Sequence, residues 1–248
     1  MTFKTDGSTH THGVKNEHEV IAILNERGIF NEQVTHLGGT KNKADAIAGS
    51  KKISIKHKKG IKNGSYDYAN TSIYNGMFKT HFDKFLSDVK EHREMPQQLR
   101  EVAVDFMRKD FSDLCESALE SIDRDTLVSM LVDIFSKQSG YDVVINDTQS
   151  KEVYIFKSED HPVWTAIKMG YTPELVSGRG AKSSRKIVFK NGNYVINTGL
   201  RIRVTSNNGI NAFLGLSRAN KNSQIVVKLQ QDSIAQLVKD SGAEVYSY

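Results

Sequence analysis

Lys43-Ala44-Asp45-Ala46-Ile47-Ala48 and, after the turn Gly49-Ser50, Lys52-Ile53-Ser54-Ile55-Lys56-His57-Lys58-Lys59 decide how this chain is read. Asp45–Ala48 and Lys52–Lys58 are strand-like, and the short Gly-Ser connection predicts a hairpin. Asp45 stands at the start of the first strand and Lys56 towards the end of the second. Ser54 and Lys56 are two residues apart, so on a strand they project from the same side. A carboxylate, a hydroxyl and an ammonium on one face are the groups that bring a divalent metal and a phosphate together.

Working outward, Val14 to Arg27 has apolar positions at Val20, Ile21, Ile23 and Leu24, which predicts a helix ended by Gly28. Gln33 to Leu37 is strand-like, and residues 60–70, rich in Gly, Asn, Ser and Tyr, predict a surface loop. From Thr71 to Lys137 the pattern is helical, with Met77, Phe82, Phe85 and Val89 in one stripe and a break at Pro96. After Gly140 it turns β-rich. Tyr141–Asn146 and Glu152–Lys157 predict a hairpin, and Arg185–Phe189, Tyr194–Asn197, Leu200–Thr205 and Gln224–Leu229 further strands. A helix over Asp232–Asp240 closes the chain. The fold class expected is α/β (α+β), a mixed-sheet core flanked by helices. Its expected division is a core segment over 1–70, a helical region over 71–139 and a β-rich basic region over 140–248.

The 248 residues suffice for one large domain or two small ones, and 38 % hydrophobic content suffices for a packed core. One cysteine, Cys115, excludes an intrachain disulfide framework and a cysteine zinc cluster, and fits a reducing cytoplasm. No apolar run reaches membrane-spanning length, and Met1 to Gly7 has no hydrophobic signal segment, so a cytoplasmic, membrane-free protein is expected. The net charge of +5 favours a polyanionic partner. Charge is also segregated. Lys41 to Lys62 holds eight lysines and one acid, Asp88 to Asp125 eleven acids and six bases, and Arg179 to Arg203 seven bases and no acid. Two basic blocks flanking an acidic helical region read as a groove that neutralises phosphates; the plainer alternative is a set of solvated faces.

Hydrolysis of a phosphodiester with Mg²⁺ needs hard oxygen ligands, an in-line water and positive charge near the reacting phosphate. Asp45 can supply a carboxylate and Ile55 a backbone carbonyl. Lys56 can orient the water or stabilise transition-state charge.

This layout resembles the PD-(D/E)XK nuclease superfamily, the fold of many restriction endonucleases and Holliday junction resolvases. The resemblance covers residues 13–59. Gly13-Val14-Lys15-Asn16-Glu17 is similar to the superfamily's helix-borne glutamate, Ala44-Asp45-Ala46-Ile47-Ala48 after Gly38-Gly39 to its first catalytic strand, and Ile53-Ser54-Ile55-Lys56 to its second. The resemblance implies a restriction-endonuclease-like core, Asp45 and Glu17 as metal ligands with the Ile55 carbonyl, Lys56 as the catalytic lysine, and Mg²⁺ as cofactor with Mn²⁺ as a substitute. Ala44 stands where the family often has proline. Ser54 stands where it usually has Glu, Asp or Gln, so Ser54 enters the site as a hydroxyl. The missing carboxylate then falls to Glu17 first, with Asp67 and Glu19 behind it.

A second acid–hairpin–lysine layout, Asp142 and Asp147 before Val153-Tyr154-Ile155-Phe156-Lys157, has Ile155 where a polar group is needed and reads as structural. His10, His12 and His18 read as polar tail and helix surface, with adventitious metal binding as the alternative, and His57 as a solvent-side strand residue. Gly178 to Lys186 lacks the spacing of a phosphate-binding P-loop. Its Arg179, Lys182, Arg185 and Lys186 suit DNA contact, together with Lys58 and Lys59. Arg201, Arg203, Asn207 and Asn208 are the residue types that read guanine and adenine edges. The expectation is a metal-dependent endonuclease on double-stranded DNA, of type II restriction character; a homodimer would place two sites on opposite strands, but the sequence does not prove one. A homing or junction-cutting nuclease comes next. The rivals are a noncatalytic DNA-binding protein and a phage or plasmid structural protein with a basic surface.

Overall fold

The computed structural model describes residues 8–38, 44–58, 60–61, 66–72, 78–177, 182–217 and 223–248. Among these are seven α-helices and eleven strands in two sheets, an α/β mixed-sheet fold. No helix among them is long and apolar enough to cross a membrane. The chain forms two compact units, Met1–Tyr66 with Leu131–Gly170 and Ser233–Tyr248, and Asp67–Met130 with Tyr171–Asp232.

The first unit is built on α1 (Ser8–Glu26), β1 (Val34–His36), β2 (Ala46–Ala48), β3 (Lys51–Lys58), β5 (Tyr141–Asp147), β6 (Glu152–Lys157), α5 (Pro162–Lys168), α7 (Ile234–Asp240) and β11 (Glu244–Ser247). Its sheet has the order β1-β2-β3-β5-β6-β11. Only β3 and β5 run parallel, with Ile55 beside Val144. Gly49 makes the β2–β3 turn at φ +58°, in the left-handed region that glycine adopts without strain. Val20, Ile21 and Leu24 of α1 pack on Val34, Ala46, Ala48, Ile53, Ile55, Val144, Val153 and Ile155. Every β5 residue is buried, as a central strand covered on both faces must be. The C-terminal half of α4 (Arg124–Ser136) belongs here too, with the Phe135 ring tilted against His161 at 4.7 Å and edge-on to Trp164 at 6.2 Å.

The second unit holds β4 (Tyr66–Ser72), α2 (Lys79–Arg93), α3 (Gln97–Glu120), β7 (Thr172–Ser177), β8 (Ser184–Asn191), β9 (Tyr194–Ser206), α6 (Ile210–Phe213) and β10 (Ile225–Gln231). Its sheet order is β4-β10-β9-β8-β7. Phe82 and Phe85 of α2 meet Phe111 of α3 at 5.7 and 5.2 Å, and Phe85 meets Phe213 of α6 at 5.9 Å.

The structure departs from the sequence reading in several places. Part of the 60–70 loop is strand β4, because Tyr66–Ser72 joins a sheet edge supplied by β10. Tyr194–Thr205 is one strand, not two. Helix α5 and strands β7 and β11 were not expected. The units also cut across the 1–70, 71–139 and 140–248 division: 140–170 and 233–248 complete the sheet begun by β1–β3, because β5 pairs with β3. Phe82, Phe85 and Val89 are buried on α2 as their spacing predicts, while Met77 lies outside the described residues.

Candidate active site

The β2–β3 hairpin brings Asp45, Ser54 and Ile55 together. Asp45 Oδ2 accepts the Ile55 amide at 2.7 Å and lies 3.4 Å from Ser54 Oγ. The Asp45 amide donates to the Ile53 carbonyl at 2.9 Å, and the Asp45 carbonyl accepts from the Leu37 amide at 3.1 Å. Within a strand, the N–H and C=O of one residue point to the same side, and residues two apart repeat that direction. The carbonyl of Ile55 therefore points as that of Ile53 does, towards the β2 edge where the Asp45 carboxylate sits. Lys56 follows on the Ser54 face, opposite the core positions Ile53 and Ile55.

Glu17 is positioned differently. Its Oε2 bonds His36 Nε2 at 2.6 Å, and the His36 ring meets that of His18, tilted, at 4.4 Å. His36 pairs with Ala46 across the β1–β2 ladder, so it shares the face on which α1 packs. Ser54 and Lys56 project from the other face. Of the four residues read as catalytic, Asp45 and Ser54 thus meet directly, Lys56 shares their face, and Glu17 lies at the same end of the sheet on the opposite face. His36 was not singled out from the sequence, where one histidine in a three-residue strand carries no signal. The reserve acids are also engaged: Asp67 bonds Gln230 at 2.7 Å in the second unit, and Glu19 pairs with Lys15 at 3.8 Å.

Asp45 and the Ile55 carbonyl do not form a closed protein cage. Among the described residues no group of three or more His, Cys, Asp or Glu side chains can hold a metal. Mg²⁺ commonly takes one or two carboxylates and keeps several waters, with substrate phosphate completing its shell. Asp45 Oδ1 and the Ile55 carbonyl are hard oxygens of that kind, and Asp45 Oδ2 is held in place by the Ile55 amide.

The end of β3 is anchored from β5. Asp147, 5 % exposed, accepts the amides of Gly60, Ile61 and Gln149, each at 2.9 Å, and of Ser150 at 3.4 Å. Burial alone would raise its pKa, but these backbone donors outweigh it and hold the carboxyl below its ordinary range. Gly60 has φ +89°, and a Cβ there would lie 2.4 Å from Gln149 Oε1. The Lys58 carbonyl accepts the amide and hydroxyl of Thr148 at 3.0 and 3.1 Å. On the α1 face, Asn146 links His57, at 3.4 Å, to the Tyr248 hydroxyl, at 2.8 Å. Burial lowers the His57 pKa, partly offset by Glu19. Asp142, only 3 % exposed, forms an ion pair with its cross-strand neighbour Lys157, in keeping with a structural hairpin.

The second basic block is divided by the fold. Lys182 pairs with Asp113 and Glu116 at 3.0 and 3.2 Å, and Arg185 with Glu116 and Glu120 at 3.3 and 3.6 Å. The acidic face of α3 thus neutralises these two cations inside the unit. The Asn207 side chain accepts the Gln224 amide at 2.8 Å, tying together the two ends of the β9–β10 connection. Lys186, Arg201, Arg203 and Lys228 instead share the sheet face opposite Arg185 and Ile202, with Lys186 beside Arg201 and Arg203 beside Lys228. Arg201 pairs with Asp232 at 3.0 Å and Lys228 with Asp67 at 3.5 Å, while Lys186 and Arg203 have no carboxylate partner among the described residues. Like charges directly across a ladder repel, so this face favours an anion. Lys228 escaped the sequence reading because its neighbours in sequence are apolar. Asn208 is exposed beyond β9, and Lys59 and Arg179 lie outside the described residues. Comparison of the chain with protein-family models, with curated proteins and with solved structures finds no match in any of the three.

Proposed function

We propose that this chain is a Mg²⁺-dependent endonuclease of the PD-(D/E)XK kind, acting on double-stranded DNA at defined sequences. The observation that carries the reading is the cross-strand group of Asp45, Ser54 and Ile55 with Lys56 on the same face. Asp45 Oδ1 and the Ile55 carbonyl would hold the metal. Mg²⁺ supplies a Lewis acid for the phosphoryl oxygen and a more acidic water. The Ile55 amide and the Ser54 hydroxyl fix the Asp45 carboxylate, and the Lys56 ammonium stabilises negative charge developing on the phosphate. Lys186, Arg201, Arg203 and Lys228 would meet backbone phosphates, and a homodimer would present one site to each strand.

The test is cleavage of supercoiled DNA, linear duplexes and a four-way junction with Mg²⁺, by wild type, Asp45→Ala and Lys56→Ala. The proposal expects discrete duplex fragments from wild type, lost in both variants; junction resolution alone would move the substrate to branched DNA. A second reading, a noncatalytic DNA-binding protein, is favoured by the Glu17–His36 bond and by Ser54, which leave Asp45 without a second carboxylate beside it among the described residues. It expects DNA binding in all three proteins and no cleavage by any.

A further inference from the structure

Strand β7 forms one edge of the second unit's sheet, and a cavity of about 380 Å³ opens beside it. Its apolar walls are Leu119 and Ile122, from the end of α3 and the turn after it, Leu127 of α4, and Pro173 and Leu175 of β7 itself. All belong to the second unit. The strand register fixes where the main chain of β7 points. A two-residue turn, Gly192-Asn193, joins β8 to β9, so Asn191 and Tyr194 exchange hydrogen bonds and Asn191 directs its main chain at β9. The Val204 amide, bonded to the Ser183 carbonyl, keeps the same phase just before β8. Lys186, Val188 and Lys190 therefore face β7, opposite Val176, Glu174 and Thr172. The N–H and C=O of Leu175 point the other way, out of the sheet edge. Pro173, which has no amide hydrogen to offer, holds an outward position too. Among the described residues no strand or loop is bonded to the outer side of Leu175.

Free main-chain groups on a sheet edge beside an apolar cavity suit an extended peptide. Its backbone supplies the hydrogen bonds, and its alternate side chains fill the cavity. Strand β7 carries no lysine and no bulge against β8, the devices that blunt exposed edges. The rim sets the charge of the peptide. Arg185 is balanced by Glu116 and Glu120, and Glu174 by Lys190. The corner between α3 and α4 then adds two exposed carboxylates, Asp123 and Asp125, against one arginine, Arg124. The surplus is negative. It favours lysine or arginine beside the apolar side chains of the occupant and disfavours nucleic acid.

We propose that the outer edge of β7 and the cavity beside it form a docking groove for an extended basic peptide of a partner protein, which adds a strand to this sheet. The groove is independent of any cleavage by the first unit. Strand β7 is six residues long, about 20 Å of strand, so the probe is a labelled, end-blocked heptapeptide of lysine alternating with valine. Fluorescence anisotropy with the full chain should show binding at tens of micromolar, and none of the counterpart in which glutamate replaces lysine. Leu175→Pro removes only the outward N–H, so it should weaken binding roughly tenfold with an unchanged urea midpoint. Methylating alternate amide nitrogens of the peptide should abolish binding in the phase that faces β7 and leave it intact in the other, which decides the matter if Leu175→Pro misfolds. Glu120→Gln with Asp123→Asn, where asparagine can still accept the Thr126 amide, should weaken binding and flatten its salt dependence. No binding of the lysine–valine peptide overturns the proposal, as does equal binding of the glutamate–valine peptide. Binding indifferent to Leu175→Pro and to the phase of methylation overturns it too. Self-association of the chain that the peptide displaces gives the edge to a second copy and also overturns it.

Discussion

Replacing Asp147 with alanine should selectively weaken the first unit, by an amount that its hydrogen bonds set. The carboxylate accepts four backbone amides, of which those of Gly60 and Ile61 are buried. A buried donor left without an acceptor costs about 1–3 kcal/mol, so these two cost about 2–6 kcal/mol, while the Gln149 and Ser150 amides can turn to water. With a urea slope of about 2 kcal/mol/M, the midpoint should fall by roughly 1–3 M. Asp147→Asn keeps one acceptor oxygen and should lose about half as much. The single tryptophan, Trp164, lies in this unit, so its fluorescence reports the transition. The pH dependence has a definite sign. The folded pKa lies below the unfolded one, so the stabilisation is fully present above the ordinary aspartate range and is lost as pH falls through the folded value. Wild type should lose stability on acidification, and Asp147→Asn should lack that component. A Trp164 transition in Asp147→Ala unmoved from wild type would refute the reasoning.

In the second unit, Arg185→Ala should cost about 1–3 kcal/mol, because the buried guanidinium donates to the Lys182 and Ser184 carbonyls and pairs with Glu116 and Glu120, whereas Lys182→Ala, at an exposed pair, should leave the urea midpoint unchanged. Lys186→Ala with Arg203→Ala should lower the slope of log affinity for duplex DNA against log salt by about 2, one released counterion for each phosphate contact, as a salt titration would measure. Burial pushes the Cys115 thiol up to about 12. A thiol reagent at mildly alkaline pH should therefore react only at the rate at which the second unit opens, and a fast stoichiometric reaction of native protein would contradict its burial.

Local chemistry was legible in the sequence, and long-range assembly was not. The β2–β3 hairpin and the end of α1 follow from alternation and from Gly49 and Gly28, and the α2–α3 break from Pro96, each settled by a few neighbouring residues. The parallel pairing of β3 with β5 joins segments separated by the whole α2–α4 region, and nothing in either strand names its partner. The candidate site divides the same way. Asp45 and Ser54 meet because a hairpin register fixes them, but which face Glu17 serves depends on how α1 lies on the sheet. The basic run around Lys182 and Arg185 looked like a phosphate surface until α3 supplied carboxylates from distant residues. Lys228 joined the basic face only through the β9–β10 register.

The interleaving of the two units sets an order for their completion as the chain is made. Tyr171–Asp232, the last segment of the second unit, leaves the ribosome before Ser233–Tyr248, the last of the first. At about 5–20 residues per second, the second unit can close while β6 still offers an unpaired edge. Until β11 docks on β6 and Tyr248 reaches Asn146, the first unit is unfinished, although Asp45 and Lys56 were translated long before. A nascent chain thus carries its candidate catalytic hairpin on an incomplete scaffold until β11 is made, and a break in translation before Glu244 yields a protein with an open sheet edge.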